Sequence, residues 1–356
     1  MTVQSPRDAR LRLAFSGALQ GIAAVGPVAV FRPDAGDRLD AIAAERLHIH
    51  TGWRPAFDAF AARDLPVERA PRPGGTPHVA ALVCVPRSRD MAQGLIAAAC
   101  CCTQGPVLVD GQKTDGIDAI LRACKARVAV AGPVIKGHGK LFAIDAAEGR
   151  AALADWLPQP KRVAGGFETL PGVFSADGPD PGSMLLAAAL PGRLPPRIAD
   201  LGAGWGWLAA EVLRREGVEE VHLVEAEADA LDCARRNVTD PRAVFHWADA
   251  RSFHAAAGFD AVVMNPPFHP ARRPDPELGR AFVAAAARLL HPSGVLWMVA
   301  NRHLPYADAL NDAFADVREL PGSSGAYRLT QASRPRSRPS VAGKGASAVQ
   351  PARRKR

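Results

Sequence analysis

Short hydrophobic runs alternate with longer amphipathic stretches along the whole chain of 356 residues. The runs in the second half predict strands, at 197–202, 221–227, 243–249, 259–264, 294–300 and 327–332. The amphipathic stretches between them predict helices, chiefly at 207–216, 228–237, 278–290 and 305–315. Short strands that are apolar on both faces and separated by helices are typical of a mostly parallel sheet with helices on both sides.

The first half of the chain repeats this rhythm. Its hydrophobic runs predict strands, at 27–32, 46–52, 78–86, 105–111, 126–132 and 140–145. The most similar pair of segments aligns the run before Pro86 with the run before Pro266. In this alignment Val85 stands at the position of Asn265. We therefore predict two similar α/β domains, of which the first lacks the chemistry of the second. Chance similarity between two unrelated parallel sheets is the alternative.

Proline and glycine mark the join between the two halves. Residues 151–171 predict a linker, which leaves a first domain at 1–150 and a second domain at 172–333. The final segment, 334–356, carries eight basic residues and no acidic one, so the rest of a chain with a formal charge of +8 is nearly neutral. This segment has almost nothing apolar to bury, and we expect a disordered basic tail. Such a tail adds salt-sensitive attraction to phosphates, or serves only as a solubilising extension.

The composition narrows the class of protein. It is 48% hydrophobic and 22% charged, as in water-soluble globular proteins, and no apolar run reaches the roughly 18–20 residues that span a bilayer. The N-terminal segment has no convincing signal-peptide cleavage site, so we expect a cytoplasmic protein without membrane contact. The six cysteines show no C-x-x-C spacing, and the consecutive Cys100–Cys102 would point in different directions on a helix. Buried free thiols are therefore expected, and no metal site.

A glycine-rich turn follows the strand at 197–202. Gly202, Gly204 and Gly206 separate this strand from the next helix, and Asp200 precedes them. Glycines at this point allow a sharp turn and a close approach of the backbone to a ligand. The spacing is G-x-G-x-G rather than the G-x-G-x-x-G of dinucleotide sites, which favours a ligand without a pyrophosphate.

Acidic residues end the two strands that follow. Glu225 stands where an acidic side chain accepts hydrogen bonds from ribose hydroxyls, and Asp249 stands within reach of an adenine edge. These groups lie at the carboxyl ends of neighbouring strands, where open α/β sheets bind ligands. A ligand with a ribose and an adenine but no pyrophosphate fits S-adenosylmethionine better than NAD. Taken alone, each acid is also compatible with a solvated strand end.

The strand at 259–264 runs directly into Asn265-Pro266-Pro267-Phe268. The prolines fix the chain direction, because they lack an N–H group and have a locked φ. The side-chain oxygen of Asn265 and the carbonyl of Pro266 can accept the two N–H groups of a planar amine, which aims its lone pair at a methyl donor. Phe268 can stack on a base. A merely rigid strand exit is the alternative, but it leaves the asparagine and the aromatic ring unexplained.

Several segments together resemble one family. DLGAGWG (200–206), LVEAE (223–227) and MNPPFH (264–269), with GVFSADGPDPGSMLL (172–186) and VANRHLPY (299–306), resemble the RsmC-like 16S rRNA guanine-N2 methyltransferases. The resemblance covers residues 172–332 and extends to the first half as architecture. It implies two tandem Rossmann-like methyltransferase domains with seven-stranded, mostly parallel sheets, the N-terminal one degenerate. It also implies an S-adenosylmethionine-dependent enzyme that methylates the exocyclic N2 amine of a guanosine in rRNA.

The resemblance assigns roles residue by residue. The cofactor would be held by Asp200, Gly202, Ala203, Gly204, Gly206, Glu225, Ala226, Asp249, Ala250 and Asn265. The acceptor site would be Asn265, Pro266, Pro267 and Phe268, and the cofactor would be covered by Phe174, Asp180 and Ser183. Asp180 and Ser183 are also compatible with a turn and a helix cap. The first domain would recognise rRNA or the small ribosomal subunit, with 111–116 and 136–140 as candidate contacts. The first half matches the family only in rhythm, and the basic tail lies outside the family's pattern.

Other functions remain open at this point. Protein glutamine-N5 methyltransferases share the Asn-Pro-Pro arrangement, but they usually carry Tyr at the position of Phe268 and a small helical first domain. A DNA-amine methyltransferase would be expected to have a separate sequence-reading domain. A non-catalytic RNA-binding or assembly factor has no need of Asp200, Glu225 and Asn265 together.

Overall fold

The computed structural model describes residues 5–17, 25–72, 77–267 and 276–336. This part of the chain contains two seven-stranded sheets and a two-stranded ribbon. Among the described residues no helix is long and apolar enough to cross a bilayer, and no three His, Cys, Asp or Glu side chains converge as metal ligands would.

The first sheet has the order β3-β2-β1-β4-β5-β7-β6, in which β7 runs antiparallel to both of its neighbours and the other pairs are parallel. Its strands are β1 (Val28–Phe31), β2 (Leu47–His50), β3 (Val67–Glu68), β4 (Ala80–Cys84), β5 (Pro106–Gln112), β6 (Ala131–Lys136) and β7 (Gly139–Asp145). Its helices are α1 (Pro6–Phe15), α2 (Arg54–Ala61), α3 (Arg89–Cys102), α4 (Ile117–Lys125) and α5 (Ala146–Ala152).

The second sheet has the order β12-β11-β10-β13-β14-β16-β15, with β16 antiparallel to its neighbours. Its strands are β10 (Arg197–Leu201), β11 (Glu220–Glu225), β12 (Ala243–Trp247), β13 (Phe259–Met264), β14 (Leu290–Asn301), β15 (Phe314–Glu319) and β16 (Tyr327–Pro335), preceded by the ribbon β8 (Lys161–Arg162) and β9 (Glu168–Thr169). Its helices are α6 (Pro181–Ala189), α7 (Trp207–Leu213), α8 (Ala228–Asn237), α9 (Pro276–Leu289) and α10 (Ala307–Ala313). The two sheets share one topology, strand for strand, so the predicted fold class and internal repeat are confirmed.

Two predicted elements were wrong in extent. Residues 126–130 close helix α4 and lead into β6, so the strand predicted at 126–132 begins only at Ala131. The helix predicted at 305–315 ends at Ala313, and Phe314–Glu319 form β15. This edge strand is mostly exposed, so it lacks the apolar run that marks the buried strands.

The predicted linker at 151–171 is not a free connection. Helix α5 runs to Ala152, and Leu153 is fully buried in the core of the first domain. Phe167 instead packs on Trp205 of the second domain, with ring centroids 5.4 Å apart. The segment is therefore shared between the two cores, because its apolar side chains find burial on either side.

The boundary of the basic tail also differs from the prediction at 334. Strand β16 continues to Pro335. Arg334 forms an ion pair with Asp316, and the Arg336 Nε donates to the Phe314 carbonyl at 3.1 Å. These contacts hold the first three residues of the segment against β15, while residues 337–356 lie outside the described part.

Charged side chains fill the carboxyl edge of the first sheet. Asp110 on β5 is fully buried and receives two hydrogen bonds from the buried Arg10, at 2.6 and 2.9 Å, and one from Arg7 at 2.9 Å. Both arginines belong to α1, which precedes β1 as α6 precedes β10. In the first domain these side chains therefore fill the carboxyl edge of the sheet. In the second domain the equivalent edge has a cleft.

Candidate active site

The glycine-rich turn between β10 and α7 has a left-handed backbone. Gly202, Gly204 and Gly206 have φ values of 78°, 56° and 88°, a region that side-chain-bearing residues rarely adopt. A Cβ atom at Gly206 would also lie 2.9 Å from Cγ2 of Val238, so this turn packs closely on α8. At Gly204 nothing lies within 4 Å of a Cβ position, which leaves this part of the turn open to a ligand.

Asp200 lies on β10 just before this turn and is only 1% exposed. Its Oδ2 atom has no hydrogen-bond partner within the described part of the chain. Burial, and secondarily the nearby Glu225, raise the pKa of Asp200 to about 8. A buried acceptor without a partner at the rim of a cleft is suited to a cationic or hydrogen-bond-donating group of a ligand.

Glu225 ends β11 beside the same turn. Its Oε2 atom accepts from the Gly204 N–H at 2.9 Å, and its Oε1 atom accepts from the Glu227 N–H at 2.7 Å. Burial raises the pKa of this carboxyl group as well. Each oxygen keeps a further lone pair, so the carboxylate can also accept ligand hydroxyls.

Asn265 follows β13 and is oriented by α6. Its Nδ2 atom lies 2.7 Å from Oδ2 of Asp180 and 2.9 Å from Oγ of Ser183. Since a carboxylate only accepts hydrogen bonds, the amide nitrogen must face Asp180. Both amide hydrogens are thereby used, and the side-chain oxygen is what Asn265 can offer to a ligand.

Helix α6 is itself fixed at its first turn. Asp180 caps the helix by accepting from the Ser183 N–H at 2.8 Å, and Pro181 occupies the first helical position. A Cβ atom at Gly182 would lie 2.9 Å from Tyr327 on β16, so the helix start packs closely on the sheet. Asp180 is therefore both a helix cap and a partner of Asn265.

The loop before α6 presents an aromatic ring. Phe174 is 56% exposed, and its carbonyl accepts from the indole N–H of Trp205 at 3.1 Å. Ser175 has a φ of 52°, and its hydroxyl donates to the Gly178 carbonyl at 2.7 Å. The backbone of this loop is thus held in place while the ring stays accessible.

Most of these groups line one cleft. It is lined by Phe174, Ser175, Asp180, Ser183, Asp200, Gly202, Ala203, Gly204, Trp205, Trp207, Leu208 and Asn265. Four of these residues were not predicted from the sequence: Ser175, Trp205, Trp207 and Leu208. The sequence could have indicated Trp205 and Trp207, because they flank Gly206 and large aromatic side chains beside a ligand-binding turn often form the walls of the pocket.

Other predicted residues do not line this cleft. Both Asp249 oxygens accept from the Arg251 side chain, at 2.7–2.9 Å, and Ala250 is buried in a core cluster. The cleft lining does not include Gly206, Glu225 or Ala226, and Pro266 is buried while Pro267 is exposed. Phe268 lies outside the described residues. The cofactor and acceptor roles assigned to all these residues stay predictions.

Comparisons with known proteins bear on the same region. Residues 164–330 match the family model of the methyltransferase small domain. The ribosomal RNA small subunit methyltransferase C of Hahella chejuensis is 33% identical over 180 residues, which are 47% of this chain and only 53% of the relative. The protein of that name from Shewanella sp. strain MR-4 is 28% identical over 259 residues, covering 70% of this chain and 75% of the relative.

One solved structure is similar over both domains. The T. thermophilus 16S rRNA N2 G1207 methyltransferase (RsmC), in complex with AdoMet and guanosine, superposes with a TM-score of 0.74 and covers 93% of this chain and 92% of its own. At 23% identity this likeness shows the fold. The second half of the chain is thus a methyltransferase small domain. Over both halves the chain thus shares the fold of that structure, and it spans only about half the length of the Hahella relative.

Proposed function

We propose that the chain is an S-adenosylmethionine-dependent methyltransferase that methylates the exocyclic N2 amine of a guanosine in small-subunit rRNA. The orientation of Asn265 carries this proposal. Its amide hydrogens donate to Asp180 and Ser183, so its oxygen is available to accept from a planar amine. The names of the relatives, which are rRNA small subunit methyltransferases C, support RNA as the substrate class.

The residues around the glycine turn fit this cofactor. Asp200 offers a buried acceptor without a partner, Glu225 offers spare lone pairs for ribose hydroxyls, and the turn at Gly204 is open. When bound, the cofactor supplies an electrophilic methyl group. Asp200 would bind its cationic amino acid part, since a nearby positive charge favours the ionised carboxylate.

The residues on the acceptor side of the site would make the substrate amine a better nucleophile. The lone pair of a guanine N2 amine is delocalised into the ring, which makes the amine a poor nucleophile. Hydrogen bonds from its N–H groups to the Asn265 oxygen and the Pro266 carbonyl would favour a pyramidal nitrogen. Such fixed acceptors are worth roughly 10²–10³ in rate when they act on the transition state. Phe268 and the exposed ring of Phe174 would supply stacking surface for the base.

The test offers radiolabelled S-adenosylmethionine with naked 16S rRNA, assembled small subunits, DNA and a release factor in parallel. We expect label in RNA, recovered after nuclease digestion as N2-methylguanosine. Label only in a protein amide would contradict the proposal in favour of the glutamine-N5 alternative. Label only in DNA would contradict it in favour of a DNA enzyme.

We further propose that the enzyme acts in the cytoplasm on ribosomal substrates and that residues 337–356 add affinity for RNA. This segment carries six basic residues and no acid. Removing it should make the logarithm of the RNA affinity fall less steeply with the logarithm of salt concentration, by roughly 0.9 for each duplex phosphate that the segment neutralises. An unchanged salt slope would show that the segment does not contact phosphates.

A further inference from the structure

The two domains meet through equivalent turns. Residues Gly52–Arg54 follow β2, and residues Ala226–Ala228 follow the equivalent strand β11. The Arg54 N–H donates to the Ala226 carbonyl and the Ala228 N–H donates to the Gly52 carbonyl, both at 2.9 Å. Trp53 and Glu227, at the centres of the turns, pair as an antiparallel bridge. Reciprocal contacts between equivalent residues are those of an isologous interface, here formed within one chain.

Arg32 occupies the place of the first cofactor glycine in the first domain. It follows β1 directly, as Gly202 follows β10, and both residues have a positive φ, 52° and 78°. Their N–H groups also make the same contact, Arg32 with the His50 carbonyl and Gly202 with the Val224 carbonyl, each at 2.8 Å. A left-handed backbone costs free energy in residues other than glycine, so surrounding contacts must hold Arg32 in this conformation, and one of them is made by its side chain.

That contact crosses the domain interface. The Arg32 guanidinium meets the Glu227 carboxylate through two separate atom pairs, Nη1 to Oε1 at 3.0 Å and Nη2 to Oε2 at 2.6 Å. The two side chains are only 21% and 12% exposed, and a bidentate pair of this kind is among the stronger charged contacts. The backbone N–H of Glu227 in turn donates to Oε1 of Glu225 at 2.7 Å. Arg32 therefore restrains the peptide that orients the Glu225 carboxylate.

We propose that Arg32 is a positioning residue for the cofactor site of the other domain. Through Glu227 it holds Glu225 in the orientation that accepts ribose hydroxyls. The turn after β1 of the first domain, which contains Arg32, would thus help to shape the cofactor site of the second domain. This inference rests on the proposed function, since it takes Glu225 to be the ribose-binding residue.

The test measures binding rather than turnover. Full-length protein and its Arg32→Met variant are titrated calorimetrically with S-adenosylhomocysteine and with the 2′,3′-dideoxy analogue of that ligand, which lacks both ribose hydroxyls. We expect the variant to bind S-adenosylhomocysteine about tenfold more weakly, the effect of losing one charge-assisted pair, while its affinity for the dideoxy analogue changes little. Arg32→Lys, which keeps the charge but not the bidentate fork, should fall between the two proteins.

Arg127→Met is the matched control. Arg127 also forms an ion pair with an aspartate, Asp155, but both residues belong to the first half of the chain. This variant should bind both ligands as the wild type does. A wild-type dissociation constant in Arg32→Met, or an equal loss for the two ligands, would overturn the inference. Failure of the wild type to bind S-adenosylhomocysteine would instead contradict the proposed function.

Discussion

Asp200 shows how the fold changes the chemistry of a single residue. Burial, with Glu225 nearby, moves its pKa from an ordinary 3.8 to about 8. The folded protein therefore binds a proton that the unfolded chain releases near pH 4. For an acid with a raised folded-state pKa, stability is lost as the pH rises from the unfolded value through the folded one. At about 1.4 kcal/mol per pKa unit, the ligand-free protein should lose a few kcal/mol over this range.

Replacing Asp200 with asparagine should remove this dependence. We expect ligand-free Asp200→Asn to be more stable than the wild type at pH 9 and to show a flatter melting temperature between pH 5 and pH 9. Thermal unfolding across this range measures the effect. Asp249→Asn serves as the control, because its carboxylate is paired with Arg251. Parallel pH profiles for wild type and Asp200→Asn would contradict the assignment.

For single residues, the sequence predicted which side chains belong to the candidate site better than it predicted their hydrogen bonds. Asp200, Gly204 and Asn265, which line the cleft, were predicted as site residues because each stands at or just after a strand end in a short, local motif. The orientation of the Asn265 amide was not predictable, because it depends on Asp180, 85 positions away in the chain. The pairing of Asp249 with Arg251 was local, and the charged neighbour two residues on could have indicated it.

Helix α6 connects local structure to the site at the scale of elements. Asp180 both caps the helix and holds the Asn265 amide, since its Oδ2 atom accepts from the Ser183 N–H and from Asn265 Nδ2. Loss of that carboxylate would free the Asn265 amide to rotate. Under the proposed function, methyl transfer should therefore depend on the helix cap as well as on Asn265.

A pair of cap mutations separates these two effects. Asp180→Ala and Asp145→Ala each remove an aspartate that caps a helix, the second at the start of α5 in the first domain. Each should cost about 1 kcal/mol of stability. Only Asp180→Ala should also reduce methyl transfer, by roughly tenfold, which a single-turnover assay measures. Equal transfer rates in the two variants would show that α6 does not position the acceptor.

Element prediction succeeded where burial leaves a strong pattern. The buried strands β10, β11 and β13 and the amphipathic α8 appear within a few residues of their predicted ranges. Edge strands gave no such signal: β3 is two residues long, and β15 is mostly exposed. Their place is set by pairing with a neighbour that is distant in sequence, which hydrophobic periodicity does not record.

The two sheets of the molecule share one topology but differ at the carboxyl ends of their strands. The second sheet opens a cleft at its carboxyl edge, whereas the first fills this edge with Arg7, Arg10 and Asp110. A fully buried charge is tolerated only while its partners are present. The first domain is thus a closed framework that contacts the second through the turns after β2 and β11.

Breaking the buried cluster should be costly. Asp110→Ala leaves two arginines without their shared carboxylate and should lower the free energy of unfolding by about 3–5 kcal/mol. Asp40→Ala removes an aspartate from an exposed ion pair with Arg38 and should cost about 0–1 kcal/mol. Denaturant titration of both variants measures the difference. A similar cost for the two would mean that the buried cluster does not stabilise the first domain.

The duplicated architecture was predictable from the rhythm of the sequence, but the domain interface was not. Its contacts join Arg32 to Glu227 and Arg54 to Ala226, pairs that are far apart along the chain. No local pattern marks them, because a glycine or an arginine after a strand is equally compatible with solvent. Only the fold shows that the two turns face each other.

The proposed role of Asn265 is tested most directly by measuring methyl transfer to rRNA. Wild-type protein and Asn265→Ala are incubated with S-adenosylmethionine and rRNA, and the digested nucleosides are analysed by mass spectrometry, while S-adenosylhomocysteine affinity is measured in parallel. We expect the wild type to form N2-methylguanosine and the variant to lose at least roughly 10²-fold in rate, because it lacks the oriented acceptor, with cofactor affinity largely kept. Wild-type rates of N2-methylguanosine formation by Asn265→Ala would contradict the assignment of the active site.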